Sequence, residues 1–237
     1  MKKNFYKRKG YEGFSLIEML ITTVILGFIM LISALVLTTL IKVSVTTTNK
    51  ARVRTDSEYI LEYLRRTIRT TNPDYVHIYD SAERRYDYAA REGKGNVQTN
   101  GSFQEITDST GTGNEIHFMP NGTTKWVCLA YYKGVSSDKD NKGNEKGYIL
   151  KTTVDNLPDH KDCFSNDFND SSNYMILNTR FVNIEDFRIK LQDTTEKNKV
   201  IQFDLKASAI YWYFARTGIL SKSFYRQAIV KTERVMW

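Results

Sequence analysis

Residues 19–41, "MLITTVILGFIMLISALVLTTLI", are 23 consecutive positions without a charged side chain. As a helix they cover the roughly 30 Å hydrocarbon layer of a bilayer. A soluble helix of this length would carry a polar face, and none is present. A secretory signal has an apolar core of about 7–15 residues followed by a small-residue cleavage site. This run is longer and no such site closes it. A single transmembrane helix is therefore the first constraint on the chain. It opens with one acid, Glu18, and the next charge is Lys42.

The charge pattern orients the span. Lys2, Lys3, Lys7, Arg8 and Lys9 crowd the N-terminus, and Glu12 is the one acid there. Residues 1–13 hold five of the 34 basic and one of the 27 acidic residues, so without them the net charge of +7 falls to +3. The excess belongs to the N-terminal segment and not to the body, which weakens a nucleic-acid reading of the charge. Bases crowded before a span keep that end in the cytoplasm, so residues 42–237 are expected on the far side of the membrane. Cys128 and Cys163 then lie in an oxidising compartment, where a pair is expected to be bridged. No C-x-x-C motif extends them to a metal set.

Helical periodicity continues past the span. Val53, Ser57, Ile60, Leu64 and Ile68 recur at three and four residues, and Leu61 widens the stripe, predicting an amphipathic helix. Asn72-Pro73 ends it, since the residue before a proline is displaced from helical geometry. Beyond Pro73 the texture is that of strands: 115–120, 123–134 and 147–154, then 183–193 and 199–214 with period-two alternation. Ile184, Phe187, Ile189 and Leu191, and Ile201, Phe203 and Leu205, supply one apolar face, which predicts an antiparallel sheet covered on one side by the stripe at 53–68. The expected fold is α+β: a long N-terminal helix, transmembrane in its first half and amphipathic in its second, packed on an antiparallel sheet. The segments are 1–13, 14–42, 43–72 and 73–237. Residues 74–114 are polar and glycine-dotted and resist assignment. Residues 136–147, "SSDKDNKGNEKG", read as a mobile polar hairpin loop.

Chemistry-bearing motifs are sparse. His77, His117 and His160 are scattered, and no nucleophile elbow, phosphate loop or dinucleotide fingerprint occurs. The acidic stretch 138–145 has the flavour of a calcium loop, but Lys142 replaces a ligand and no closing acid follows. The stretch 166–170 is equally thin. Lys222, Arg226, Lys231 and Arg234, interleaved with Phe224, Tyr225 and Trp237, are a candidate phosphate-backbone surface; a solvated strand explains them as well. A membrane-anchored enzyme would need converging titratable groups, and the sequence offers none. The expectation is no catalytic residue, no cofactor and no metal.

The junction is more specific. "KGYEGFSLIEMLITTVILG" places Gly13 before Phe14-Ser15-Leu16-Ile17-Glu18, with bases upstream and the span downstream. This resembles the type IV pilin family, including the pseudopilins of type II secretion and competence systems. The resemblance covers about thirty residues. It implies a leader cut between Gly13 and Phe14 by a prepilin peptidase, N-methylation of Phe14, and Glu18 as the acid that meets a neighbouring subunit's terminal amine. Gly27 matches a small residue often found in that helix. Major fibre subunits commonly have a proline where this chain has Leu35, and removing 13 of 237 residues leaves 224, more than most of them. The chain is similar to minor subunits of the PilW and PulJ kind. Implied partners are other pilin or pseudopilin subunits, the prepilin peptidase, the inner-membrane assembly platform and membrane lipid, with nucleic acid as the rival partner of a competence pilus.

Overall fold

The computed structural model describes residues 13–73, 75–81, 84–87, 96–99, 103–140, 143–155, 163–164, 174–193, 200–210 and 223–232. The leader up to residue 12 lies outside them, as do His160 and residues 166–170. The chain divides into two compact units, Met1–Val45 and Thr46–Trp237. One helix, α1 (Leu16–Thr71, 56 residues), supplies the described regular structure of the first unit and the first element of the second.

In the first unit the helix is apolar on every side, and its large side chains from Leu16 to Val43 are all exposed. It is long and apolar enough to cross a membrane. Its hydroxyls bond back into the helix: Thr23 Oγ1 donates to Leu20 O at 2.9 Å, Thr38 Oγ1 to Leu35 O at 2.9 Å and Thr39 Oγ1 to Leu35 O at 2.8 Å. Such back-bonding satisfies polar groups that lipid does not.

In the second unit α1 buries Val53, Ser57, Ile60, Leu61, Leu64 and Ile68, the residues of the predicted stripe. Ser57 hides its hydroxyl by donating to Val53 O at 2.7 Å. The helix ends as Asn72-Pro73 requires. Asn72 takes a positive φ of 37° and its N–H still reaches Ile68 O at 3.1 Å, a left-handed helix stop that asparagine tolerates.

Among the described residues twelve strands follow: β1 (Tyr75–Ser81), β2 (Arg84–Asp87), β3 (Asn96–Thr99), β4 (Phe103–Glu105), β5 (Thr112–Gly113), β6 (Glu115–Met119), β7 (Lys125–Gly134), β8 (Gly147–Asp155), β9 (Tyr174–Ile176), β10 (Val182–Asp193), β11 (Val200–Ala209) and β12 (Phe224–Lys231). They form two sheets where the sequence pattern predicted one. The larger has eight strands, β3-β2-β7-β6-β1-β4 with β8 and β9 added beside β7, and the smaller is β12-β11-β10-β5. Every pairing among these described strands is antiparallel except β2 with β7. The segment 74–114 holds the first five strands, each seven residues or shorter, too short for periodicity to declare them.

The core lies where α1 meets both sheets. Val76, Ile78, Ile116, Phe118, Leu129 and Ile149 come from the larger sheet, and Ile184, Phe187, Ile189, Phe203 and Leu205 from the smaller. The spacing of three between Ile184 and Phe187 is a β-bulge: Ile184 pairs with Ala207 and Asp186 with Lys206, which leaves Glu185 as the extra residue. The expectation of a sheet covered on one side is corrected for the larger sheet. Its other face is also buried, by Tyr86, Cys128, Tyr132, Tyr148 and Leu150 packed with Cys163 and Phe164.

Candidate functional site

The residues singled out at the start of the chain form a defined local structure. Gly13 and Phe14 precede the helix, and Ser15 is its N-cap. Ser15 N–H donates to Glu18 Oε2 at 2.9 Å, and Glu18 N–H donates to Ser15 Oγ at 3.3 Å. This reciprocal capping box satisfies two N–H groups that a helix start otherwise leaves open. Glu18 also lies in the first turn, where the helix dipole favours a carboxylate. Phe14 is 73% exposed. A methyl group added at Gly13 or at Gly27 would meet nothing within 4 Å, so nothing within the described chain requires a glycine at either place.

Residues 8–34 match a family model described as Prokaryotic N-terminal methylation motif. This match supports the resemblance of the N-terminus to type IV pilins and pseudopilins. The match spans the junction at Gly13 and Phe14 and the first half of the apolar helix. No curated protein matches the chain. No solved structure matches it either. The pilin-type signature thus stands on the N-terminal segment, joined to an α+β body of the kind described above.

Elsewhere in the body, Cys128 and Cys163 are joined in a disulfide across 35 positions, with their Cα atoms 6.3 Å apart. Cys128 stands on β7 opposite His117 of β6. A histidine from the neighbouring strand joins the cysteines in space: His117, Cys128 and Cys163 present ligand atoms within 4.8 Å of one another. His117 in turn meets Glu115, Nε2 to Oε1 at 2.6 Å, and both side chains are fully buried. The alternation in "EIHFM" carries this signal, because residues 115 and 117 of a strand share one face. His77 pairs with Glu105 at 2.6 Å nearer the surface.

The loop read as mobile is tied down in its described part. Asp138 pairs with Lys146 at 2.7 Å and accepts from Tyr148 Oη. Asp140 accepts from Asn144 N–H at 2.9 Å, and Arg85 pairs with Glu145 at 2.6 Å. The carboxylates of this stretch are engaged by donors of the chain.

The two described basic residues of the C-terminal set do not share one face. Lys222, Arg234 and Trp237 lie outside the described residues. Arg226 and Lys231 are five apart on β12 and point to opposite faces. Arg226 approaches Glu58 of α1 at 3.7 Å. Lys231 instead shares a groove of about 410 Å³ with Arg65 and Arg69.

Carboxylates on the smaller sheet are tuned by their neighbours. Burial works against the charged form of Asp204, but hydrogen bonds from Gln202, Tyr225 and Gln227 and the charge of Lys190 outweigh it and hold its pKa below the ordinary value. Glu185 behaves alike: burial opposes ionisation, and Ser223 and Lys206 overcome it. Tyr131 is pushed well above the usual phenol range, first by burial and then by Asp186, Glu185 and Glu145. Its hydroxyl donates to Ile184 O at 3.1 Å.

Proposed function

We propose that this chain is a structural, minor subunit of a type IV pilus or a related pseudopilus, held in the inner membrane before assembly, with its body outside. A prepilin peptidase removes residues 1–13, Phe14 becomes the methylated N-terminus, and the apolar helix then packs among the helices of other subunits. The observation that carries this reading is a helix exposed on all sides over residues 16–41, introduced by one capped acid and the methylation motif. In lipid that surface is solvated. In a fibre it is covered by neighbouring helices. Gly27 fits the same logic. A glycine costs about 1 kcal/mol against alanine inside a helix, and with no close atom of its own chain to avoid, Gly27 finds its reason in close approach of another helix.

Glu18 has two roles in this reading. Within the subunit it caps α1. Within the fibre its charge meets the amine of a neighbour's Phe14, which fixes the axial register of one helix against the next. A lone carboxylate at membrane depth costs a few kcal/mol, so pairing favours assembly.

The deciding experiment is the intact mass of the chain recovered from membranes of its native cell. The expected mass is that of residues 14–237 plus one methyl group. Recovery of the uncut chain alone, in cells with active prepilin peptidase, overturns the reading.

A further inference from the structure

The second face of the larger sheet holds side chains that the pilin-type reading does not use. Glu115 and His117 are completely buried, and Glu115 Oε1 stands 2.6 Å from His117 Nε2. Across the ladder, His117 is the register partner of Cys128, which is bonded to Cys163. All three potential ligand atoms of His117, Cys128 and Cys163 fall within 4.8 Å of one another, and all three residues are buried. Tyr79 and Phe164 close the surroundings with ring centroids 4.9 and 6.5 Å from the imidazole.

The order of these groups is that of a zinc centre. Two sulfurs and an imidazole are the donors that a thiophilic divalent cation takes, at about 2.3 Å for sulfur and 2.0–2.1 Å for nitrogen. A carboxylate behind the imidazole is the usual outer partner, fixing the ring's tautomer and orientation. For packing alone such a pair is a poor choice. Apolar side chains of similar volume are often as stabilising as a buried ion pair, or more so.

We infer that the dithiol form of this chain binds one Zn²⁺ through Cys128 Sγ, Cys163 Sγ and His117, with Glu115 as the positioning residue, and that the disulfide is the alternative closed state of the same site. With Glu115 accepting from Nε2–H, the imidazole ligates through Nδ1. A water fills the fourth position. Binding converts two thiols to thiolates and releases two protons to solvent. Oxidation by an external disulfide, such as oxidised glutathione, takes two electrons from the two thiolates. The Cys128–Cys163 bond forms, the oxidant's sulfur–sulfur bond breaks, and two protons complete its two thiols. Zn²⁺ then leaves, because sulfurs bonded to each other no longer supply the thiolate charge that holds it. The site thus protects the new chain's thiols from mispairing until the native bridge closes.

The test uses the full chain in detergent, reduced with a phosphine and titrated with Co²⁺ as the probe. The expected result is thiolate-to-cobalt absorption in the near ultraviolet with tetrahedral bands in the visible, saturating at one ion per chain and bleached by Zn²⁺. The oxidised chain shows neither. Zn²⁺ also slows alkylation of both thiols and raises the thermal midpoint of the dithiol chain. Glu115→Gln weakens Co²⁺ binding about 10–100-fold with the same bands, the size of loss typical of an outer partner. His117→Ala changes the visible bands. If that variant fails to fold, the wild-type titration and the alkylation rates decide. Absence of the bands in the reduced wild type overturns the inference. So do unchanged bands in folded His117→Ala, or alkylation rates indifferent to Zn²⁺.

Discussion

Ser15 and Glu18 hold each other's backbone N–H groups, at 2.9 and 3.3 Å. The acid that seems out of place in an apolar span is thus the closing residue of its helix cap, and this separates two consequences of changing it. Glu18→Gln retains a side-chain oxygen for Ser15 N–H and removes the charge, since either residue completes a capping box. Glu18→Ala removes both. The glutamine variant is expected to enter membranes as well as wild type and to start its helix at the same residue, yet to be depleted from fibres. Leaving one charge of a buried pair alone costs about 3–5 kcal/mol. The alanine variant loses about 1 kcal/mol more through the missing cap. The measurement is the ratio of this protein in sheared fibres to that in membranes at matched expression. An unchanged ratio for glutamine means that the charge has no partner in the fibre.

The bridge between Cys128 and Cys163 fastens Phe164 to the second face of the larger sheet, beside Tyr132 at a ring distance of 5.6 Å. Closing a loop across 35 positions contributes about 3–4 kcal/mol by loss of freedom in the unfolded chain. Cys163→Ser should lower stability by roughly that amount and expose Tyr132 and Tyr148 to solvent. Thermal unfolding followed by tyrosine fluorescence checks this. A midpoint equal to that of wild type would show that packing alone holds the segment.

What the sequence declared and what it concealed divide along a physical line. The stripe from Val53 to Ile68 was legible because helical contacts are local and repeat every turn. The stop at Asn72-Pro73 was legible because proline acts on its immediate neighbour. The Ser15-x-x-Glu18 pair is equally local and can be read from the string, though its acid first attracts attention as a membrane oddity. The division into two sheets was not legible. It is set by long-range pairing that no local pattern declares, as where β5, two residues long, joins β10 far along the chain. The burial of Glu115 and His117 was hidden for the same reason. Their shared face follows from alternation, but what covers it arrives from residues 163 and 164.

Asp204 and Glu185 give stability a dependence on acid. Both have pKa values lowered by folding, because hydrogen bonds and nearby lysines overcome burial. A carboxyl with a depressed folded pKa contributes stability that is fully present above its unfolded value, about 4, and that is lost as pH falls through the folded one. Asp204→Asn should therefore be less stable than wild type near neutrality, and the difference should shrink as pH falls below about 4. Thermal midpoints across this range provide the check. A difference independent of pH would assign the loss to packing instead of charge.

Gly147 marks a close approach of the two sheets. A Cβ placed there would lie 1.9 Å from Ile184 O and 2.7 Å from a Tyr131 ring carbon. The backbone contact is sealed by asparagines: Gly147 N–H donates to Asn183 Oδ1 at 2.7 Å, and Asn178 Nδ2 donates to Gly147 O at 3.1 Å. Because the obstructing atom is backbone, Gly147→Ala must part β8 from β10 and loosen those buried bonds. Overpacking of this kind costs about 1–3 kcal/mol, and lost buried hydrogen bonds add to it. Gly27→Ala is the counterpart. Its methyl meets nothing within 4 Å, so the isolated chain should be unharmed or more helical by up to about 1 kcal/mol. In fibres the same methyl enters the space of a neighbouring helix, and incorporation should fall. The two glycines thus predict opposite pairs of results: lower thermal stability for Gly147→Ala in the isolated chain, and a defect confined to assembly for Gly27→Ala. A Gly27→Ala chain that assembles as wild type would remove the close helix contact from the proposed fibre.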